Sequence, residues 1–498
     1  MNQLRVYALA ICVGLVMLVA ACSGAPAEAG PSITQLSARS TNANQTVSVA
    51  FTVSDADVGS LVLSVSSSNQ AVVADAGLSI TGSGTDRVLV IAPVPDAVGT
   101  TTISVSATNA LGRSAATSFV LTVSQPGITA GPMVTAPDAA LAAAFGGAVA
   151  VGGDYLVVGA ARDGQTETAL GHGAAYVYHQ AEGAWVYQAK LLPSDSWDNQ
   201  WFGNAVAIHG DYVIVGAEHD NELGAGAGAA YVFRRDGATW TEQAKLLPWD
   251  TTAGSNFGLD VAIHGDYAAV SSYAGSSTGS VYIFQRNGEA WTQHAKLRAP
   301  TPTEWGNFGT SMAMTQDTIY VGSFAEAVYV FGRNGDEWTE LAQLTAADGE
   351  DGDYFGMGVA ATDDLVVVGA TAHDVDGQRS GAAYVFTREG NEWTAGAKLT
   401  PSQPTTLTGY GEAIAISQGR MVIGSRGDPG AAPNAGAAYV YQLSGGEWSE
   451  VAVLRAADAA ENDWFGVAVA LGADEVFVGA SGKDGVELNS GAVYSFNW

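Results

Sequence analysis

Seven aromatic–glycine pairs cut the larger part of this chain into near-equal segments, and that regularity constrains the fold more than any other feature. The pairs are Phe145-Gly146, Phe202-Gly203, Phe257-Gly258, Phe308-Gly309, Phe355-Gly356, Tyr410-Gly411 and Phe465-Gly466. Subtracting successive positions gives spacings of 57, 55, 51, 47, 55 and 55 residues. Between the pairs, short apolar runs alternate with glycine-bearing turns and no stretch keeps a helical period. A period of this size built from strand-length runs implies an all-β repeat architecture.

The second repeat shows the unit. Phe202-Gly203 leads into Ala205-Val206-Ala207-Ile208, a Gly210-Asp211 turn and the run Tyr212 to Ala217. A polar loop precedes Gly228-Ala229-Ala230-Tyr231-Val232-Phe233, and a second turn precedes Trp240 to Leu246. Four antiparallel strands per repeat make one β-propeller blade. The first strand is small-chained (Ala148-Val149-Ala150, Ala205-Val206-Ala207, Ala468-Val469-Ala470), as strands converging on an axis require. Gly153-Asp154, Gly210-Asp211 and Gly265-Asp266 suit two-residue hairpins. The fourth strand repeats Trp-x4-Lys-Leu at Trp185, Trp240, Trp291 and Trp393, with variants at Trp338 and Trp448. On a regular strand Trp and Leu six apart share a face, so the tryptophans are expected between blades and the lysines on the opposite side.

Seven openings need seven fourth strands, yet the sequence ends at Trp498, just past the seventh third strand, Ala492 to Phe496. Met133-Val134-Thr135-Ala136-Pro137-Asp138 stands before Phe145 in the register in which Lys190 to Asp195 stands before Phe202. Pairing that upstream segment into the last blade predicts a closed seven-bladed ring with no open sheet edge.

On these motifs, together with Val158-Gly159-Ala160, Val215-Gly216-Ala217, Val368-Gly369-Ala370 and Val478-Gly479-Ala480, residues 128–498 resemble the FG-GAP repeat family, distantly similar to the integrin α-subunit propeller. The resemblance implies a closed seven-bladed propeller that binds a protein or glycan. The proline of the family signature is replaced by Ala161, Glu218, Thr371, Arg426 or Ser481 in the repeats that align best. The calcium loops of integrin-like repeats lie between the first two strands, where this chain has only tight hairpins. No metal and no cofactor is therefore expected.

The front of the chain reads differently. Residues 1–21 have a positive start at Arg5 and an apolar run from Val6 to Val19, the pattern of a secretion signal. Leu18-Val19-Ala20-Ala21-Cys22-Ser23 resembles a bacterial lipobox, which implies cleavage before Cys22 and its lipidation. The only other cysteine, Cys12, lies within the signal, so a disulfide is excluded in the mature chain. The expected localisation is the bacterial cell envelope, lipid-anchored to a membrane, at the outer membrane or the cell surface. Residues 22–32 read as a tether. Residues 33–125 alternate apolar and polar positions over six or seven strands and suggest an immunoglobulin- or cadherin-like sandwich. Asp55-Ala56-Asp57 reads as a solvated turn rather than a cadherin-type calcium motif.

The net charge is −30, from 20 basic and 50 acidic residues, so nucleic acid is excluded as a partner for want of a basic surface. Loops joining second to third strands (Asp163, Glu167, Glu218, Asp220, Glu222, Asp374, Asp376, Asp484) and those joining blades (Asp195, Asp198, Asp250, Asp348, Asp351, Asp353, Asp458, Asp463) emerge together. One face is thus expected to be acidic. Its plain reading is solubility, and its sharper one is docking of a cationic partner or divalent ions.

No catalytic constellation stands out. His209 and His264 share a turn position, where a hydrogen-bonding role accounts for them. Asp348 to Asp353 is the densest carboxylate run, and Arg426-Gly427-Asp428 matches an integrin-recognised tripeptide by chance. Two functions remain: a noncatalytic, envelope-anchored binding or adhesion scaffold, or a polysaccharide-acting enzyme or glycan-binding protein. The second would use the propeller mouth, with Asp260 or Glu412 projecting there.

Overall fold

A computed structural model describes residues 30–498 except 43–44, 95–96, 98, 125–126, 167–168, 251, 274–277, 304–305 and 391. The expected signal, Cys22 and most of the tether lie outside the described residues, as does Glu167. The chain divides into two compact units, Met1–Pro126 and Gly127–Trp498.

In the first unit two four-stranded sheets face each other. One holds Ser32–Ile33, Val47–Ser54, Asp86–Ile91 and Leu78–Thr81, and the other Arg39–Asn42, Ser114–Ser124, Gly99–Thr108 and Val62–Ser67. Alternation dictates the packing: Val49, Phe51, Val53, Leu89 and Ile91 point inward from one sheet and Ile103, Val105, Phe119, Leu121 and Val123 from the other. That makes eight strands among the described residues where six or seven were expected. Ser32–Ile33 and Arg39–Asn42 are too short to carry a period of their own. Asp55 accepts the Asp57 amide at 3.1 Å, the bonding of a local turn, and also the Asn109 side chain at 3.1 Å from a distant segment.

The second unit is a run of four-stranded antiparallel sheets, numbered 1 to 7 by the aromatic–glycine pair that opens each, an arrangement consistent with a β-propeller. Sheet 1 comprises Phe145–Gly152, Tyr155–Ala160, Ala174–Ala181 and Ala184–Leu191. Sheet 7 comprises Phe465–Leu471, Glu475–Ala480, Ala492–Asn497 and the upstream strand Thr129–Val134, with Val134 opposite Val493 and Met133 opposite Tyr494. The first strands of neighbouring sheets lie side by side, and that of sheet 7 lies beside that of sheet 1.

The signature glycines work at these junctions. The glycine of each aromatic pair has φ between +86° and +100°, a region costly for any other residue. A Cβ on Gly159 of sheet 1 would stand 2.1 Å from the carbonyl oxygen of Gly203 in sheet 2, and one on Gly479 of sheet 7 would stand 2.0 Å from that of Gly146 in sheet 1. The same approach recurs from Gly216 to Gly258, Gly322 to Gly356, Gly369 to Gly411 and Gly424 to Gly466. Two glycines distant in sequence thus exist for one contact between sheets. The aromatic ring beside each is fully buried and meets third-strand rings edge to face, as Phe145 does Tyr176 at 5.5 Å and Tyr178 at 6.2 Å.

The expected Trp/Leu arrangement is corrected here. Each fourth strand carries a bulge: Ala189 pairs with Val177 and Tyr187 with Tyr178, so Gln188 is extra. An inserted residue reverses which face later side chains take. Trp185 therefore packs toward sheet 7, with Phe477 at 5.2 Å and Glu475 accepting its indole N–H at 2.9 Å. Leu191 faces the core shared with sheet 2. Lys190 lies on the tryptophan side, over the Tyr176 ring, rather than opposite it. The extra residue has a use: Gln188 accepts the Trp240 indole N–H of sheet 2 at 2.8 Å.

Candidate functional site

The residues after each aromatic–glycine pair line an axial funnel of about 500 Å³. Val149, Val206, Val261, Met312, Val359, Ile414 and Val469 form an aliphatic ring within it, and Asn204, Thr310, Met357 and Glu412 lie nearer the pairs. Tyr273 and Phe324, from the ends of second strands, complete the lining. Of the two acids expected here, Asp260 accepts the backbone N–H groups of Val261 at 2.9 Å and Met312 at 2.7 Å, which ties sheet 3 to sheet 4. Burial nonetheless pushes its carboxyl up to about 7. Glu412 accepts the Arg426 guanidinium at 2.6 Å. Both acids line the funnel, and both are engaged by the protein itself. Glu218, beside Tyr273, was not singled out by sequence as a mouth residue. It is buried, and burial pushes it up to about 7.

The loop acids are largely consumed by a recurring cluster that the sequence did not disclose. In sheet 2 the Tyr231 hydroxyl lies 2.7 Å from Asp195 and 3.0 Å from Asp220, and Lys245 reaches Asp195 at 2.6 Å, Asp220 at 3.0 Å and Glu222 at 2.8 Å. Sheet 1 repeats it with Tyr176, Asp138, Asp163 and Lys190. Sheet 5 uses Tyr384, Asp348 and Lys398, with His373 between Lys398 and Asp353 at 2.7 Å from each. In sheet 7, where Met133 takes the lysine position, Lys483 arrives from the adjoining loop to meet Asp458 and Asp463. Burial opposes charge on Lys245, but its three carboxylates outweigh that and raise its pKa. Burial likewise opposes charge on Asp220, and the Glu222 amide, Lys245 and Tyr231 lower its pKa in net. Asp163, Glu218, Asp220, Asp353 and Asp463 are buried, while Asp198, Glu222, Asp250, Asp348, Asp351, Asp374, Asp376, Asp458 and Asp484 remain exposed, with Glu222, Asp250, Asp348 and Asp458 paired to lysines.

Other sequence candidates resolve similarly. Asp428 of Arg426-Gly427-Asp428 is buried under the Tyr439 hydroxyl and Arg455, each at 2.9 Å, so the tripeptide presents no free carboxylate. The His209 and His264 rings lie 4.2 Å apart, tilted at 51° to each other, so neighbouring sheets bring the two turn histidines into contact. Among the described residues no three histidine, cysteine or acidic side chains converge as a metal ion would need. We expect millimolar calcium to leave the melting temperature within error of that in chelator. A ligand of the folded state at a hundredfold its dissociation constant adds about 2.7 kcal/mol, so a real site would show as a clear upward shift.

A family model described as the FG-GAP repeat matches residues 133–178, 185–233, 240–284, 338–386, 393–441 and 448–496, together more than half of the chain. Each match runs from a fourth strand through the next three, the register in which Thr129–Val134 precedes sheet 1. The fourth strand of sheet 3, Ala290–Leu297, and the first three strands of sheet 4 fall outside the matches. In sheet 4 Glu326, at φ 54°, replaces the glycine before the third strand. No curated protein matches the chain. Among solved structures it is similar to Sqt1 of Saccharomyces cerevisiae at 12% identity, over 75% of this chain and 86% of that one, with a TM-score of 0.43. It is also similar to a proposed 6-phosphogluconolactonase of Bacteroides fragilis at 11% identity, over 66% of this chain and 88% of that one, with a TM-score of 0.44. Neither likeness is close enough to carry a function.

Proposed function

This chain belongs to the FG-GAP repeat family, and on that premise we propose that it is a noncatalytic binding scaffold of the bacterial cell envelope. In this reading lipidated Cys22 anchors it, residues 33–125 form an immunoglobulin- or cadherin-like spacer, and residues 128–498 form a closed seven-bladed propeller that presents one loop-rich face to a protein or glycan. The observation that carries the reading is the state of the acids: Asp260 and Glu412 are bound to backbone amides and to Arg426, and the loop carboxylates are tied to tyrosine and lysine. A catalytic pair must be free to meet substrate, and the funnel offers an aliphatic ring instead. Closure is supported by Gly479 against Gly146, by Trp185 against Glu475 and by the short parallel bridge of Phe145 with Gly491.

The second reading, glycan handling at the mouth, is favoured by Tyr273 and Phe324 in the funnel wall and by the raised carboxyl of Glu218. Incubation with polysaccharides separates the two: the scaffold reading expects no cleavage products, and their appearance would replace it with the second. For the anchor, Cys22→Ser is expected to move the protein from the membrane to the soluble fraction or to leave an uncleaved precursor. Membrane retention with normal processing would rule the lipid anchor out.

A further inference from the structure

The residue before each aromatic–glycine pair is left-handed: Ala144, Trp201, Asn256, Asn307, Tyr354, Gly409 and Trp464 have φ between +41° and +67°. Asparagine and glycine suit that conformation, and bulky side chains do not. Sheets 2, 5 and 7 nevertheless place an aromatic there, with Tyr354 45% and Trp464 40% exposed. Trp201 is half-buried, and backbone strain at positions that the core does not enclose points to a functional position.

Two of the three positions share more. Asp198-Asn199-Gln200-Trp201-Phe202-Gly203 and Glu461-Asn462-Asp463-Trp464-Phe465-Gly466 follow one pattern, with both asparagines at φ 64°. The alternate residues Gln200 and Asp463 are buried and hydrogen-bonded, to Asp220 at 2.6 Å and to the Ala460 amide at 2.8 Å. That pins the backbone and holds each tryptophan outward. Beside Trp201 lies a cleft of about 210 Å³ with Arg162, Asn199 and Leu170, and beside Trp464 one of about 230 Å³ with Arg426, Asn434 and Leu407. His219 covers one face of Trp201 at 4.1 Å, and the Arg162 guanidinium lies 5.5 Å from the ring centroid. Each cleft thus joins an indole, an exposed leucine, a planar amide and a guanidinium.

We infer that these two clefts, at the junctions of sheets 1 with 2 and 6 with 7, each bind one ring of a neutral saccharide chain. The volumes fall below the roughly 300 Å³ at which drug-sized sites begin, which leaves room for a single ring. An indole and a leucine offer an apolar wall to the C–H face of a sugar, and the amide and guanidinium offer planar hydrogen-bonding partners to its hydroxyls. The arginine in each cleft opposes a cationic ligand, and the net charge of −30 with exposed Asp198 and Glu461 opposes a polyanion. Two like clefts on one loop face match a ligand that repeats its own unit. The inference rests on the scaffold reading and names its ligand class, at the sheet junctions rather than in the funnel.

The test is calorimetric titration of the purified full-length protein with cello-, chito-, laminari- and malto-oligosaccharides, alone and after Trp201→Asn, Trp464→Asn and both together. Asparagine is what sheets 3 and 4 carry at this position, so the melting temperature is expected to hold or rise. Affinity for at least one series is expected to fall by about tenfold or more in each single variant and to vanish in the double. No binding of any of the four series, or binding that the double variant leaves intact, overturns the inference. Tryptophan-dependent capture of a protein in place of any saccharide also overturns it but leaves the scaffold reading standing. Tryptophan-dependent binding followed by cleavage of the sugar keeps the inference and removes the noncatalytic reading.

Discussion

Gly479→Ala is expected to destabilise the second unit by about 3 kcal/mol, the upper end of what overpacking in a close-packed interior costs. The new methyl would stand 2.0 Å from the Gly146 carbonyl oxygen, and that oxygen and the Cα carrying the methyl both belong to backbone flanked by strand pairing. Neither strand can retreat alone, because Gly479 pairs with Val493 and the Phe145 end of its neighbour pairs with Ala160. Gly153→Ala is the control. Its φ of +56° disfavours alanine, yet nothing lies within 4 Å of the added methyl, so a loss of about 1 kcal/mol is expected. Denaturant melts compare the two. Equal losses would mean that sheets 7 and 1 do not meet at these glycines.

Removing the upstream strand is expected to do at least as much harm. A chain that begins at Asp138 lacks Thr129–Val134, so the Ala492–Asn497 strand loses its ladder partner, the Ser495 hydroxyl loses Pro132 and the core loses buried Val134. A handful of hydrogen bonds and one buried valine sum to a loss of about 4 kcal/mol. The bare edge should also make aggregation depend on concentration. A chain that begins at Gly127 is the comparison, and matching melting temperatures for the two would contradict the pairing.

Much of this fold was legible in sequence because its constraints are local and repeated. The seven aromatic–glycine pairs report a φ that favours glycine and a ring that third-strand aromatics bury, and each repeat restates both. The upstream strand was legible from register alone, since Asp138 and Asp195 stand at the same distance before Phe145 and Phe202. What escaped depends on atoms that sequence spacing does not order. The bulge at Gln188 changes no residue type, yet it reverses the faces of Leu191 and Lys190. The carboxylates looked like a free acidic face because their partners, Tyr231 and Lys245 for Asp220, lie eleven and twenty-five residues away on other strands. Trp201 and Trp464 are set apart only by their left-handed backbone and shared cleft composition. A signal did exist, the repeated acid-Asn-x-Trp-Phe-Gly, and it becomes informative only once the asparagine and tryptophan are seen to face outward.

A single loop face for binding exists only if the ring is closed, so the amides of the upstream strand report on the account most directly. Hydrogen–deuterium exchange of the full-length protein should find the Thr129–Val134 amides that pair with Ala492–Asn497 protected to the same degree as the third strands of the other sheets, such as Ala229–Asp236. Exchange of that segment at the rate of an unpaired linker, with Ala492–Asn497 exchanging alongside it, would contradict the closed ring and with it the shared face on which the binding function depends.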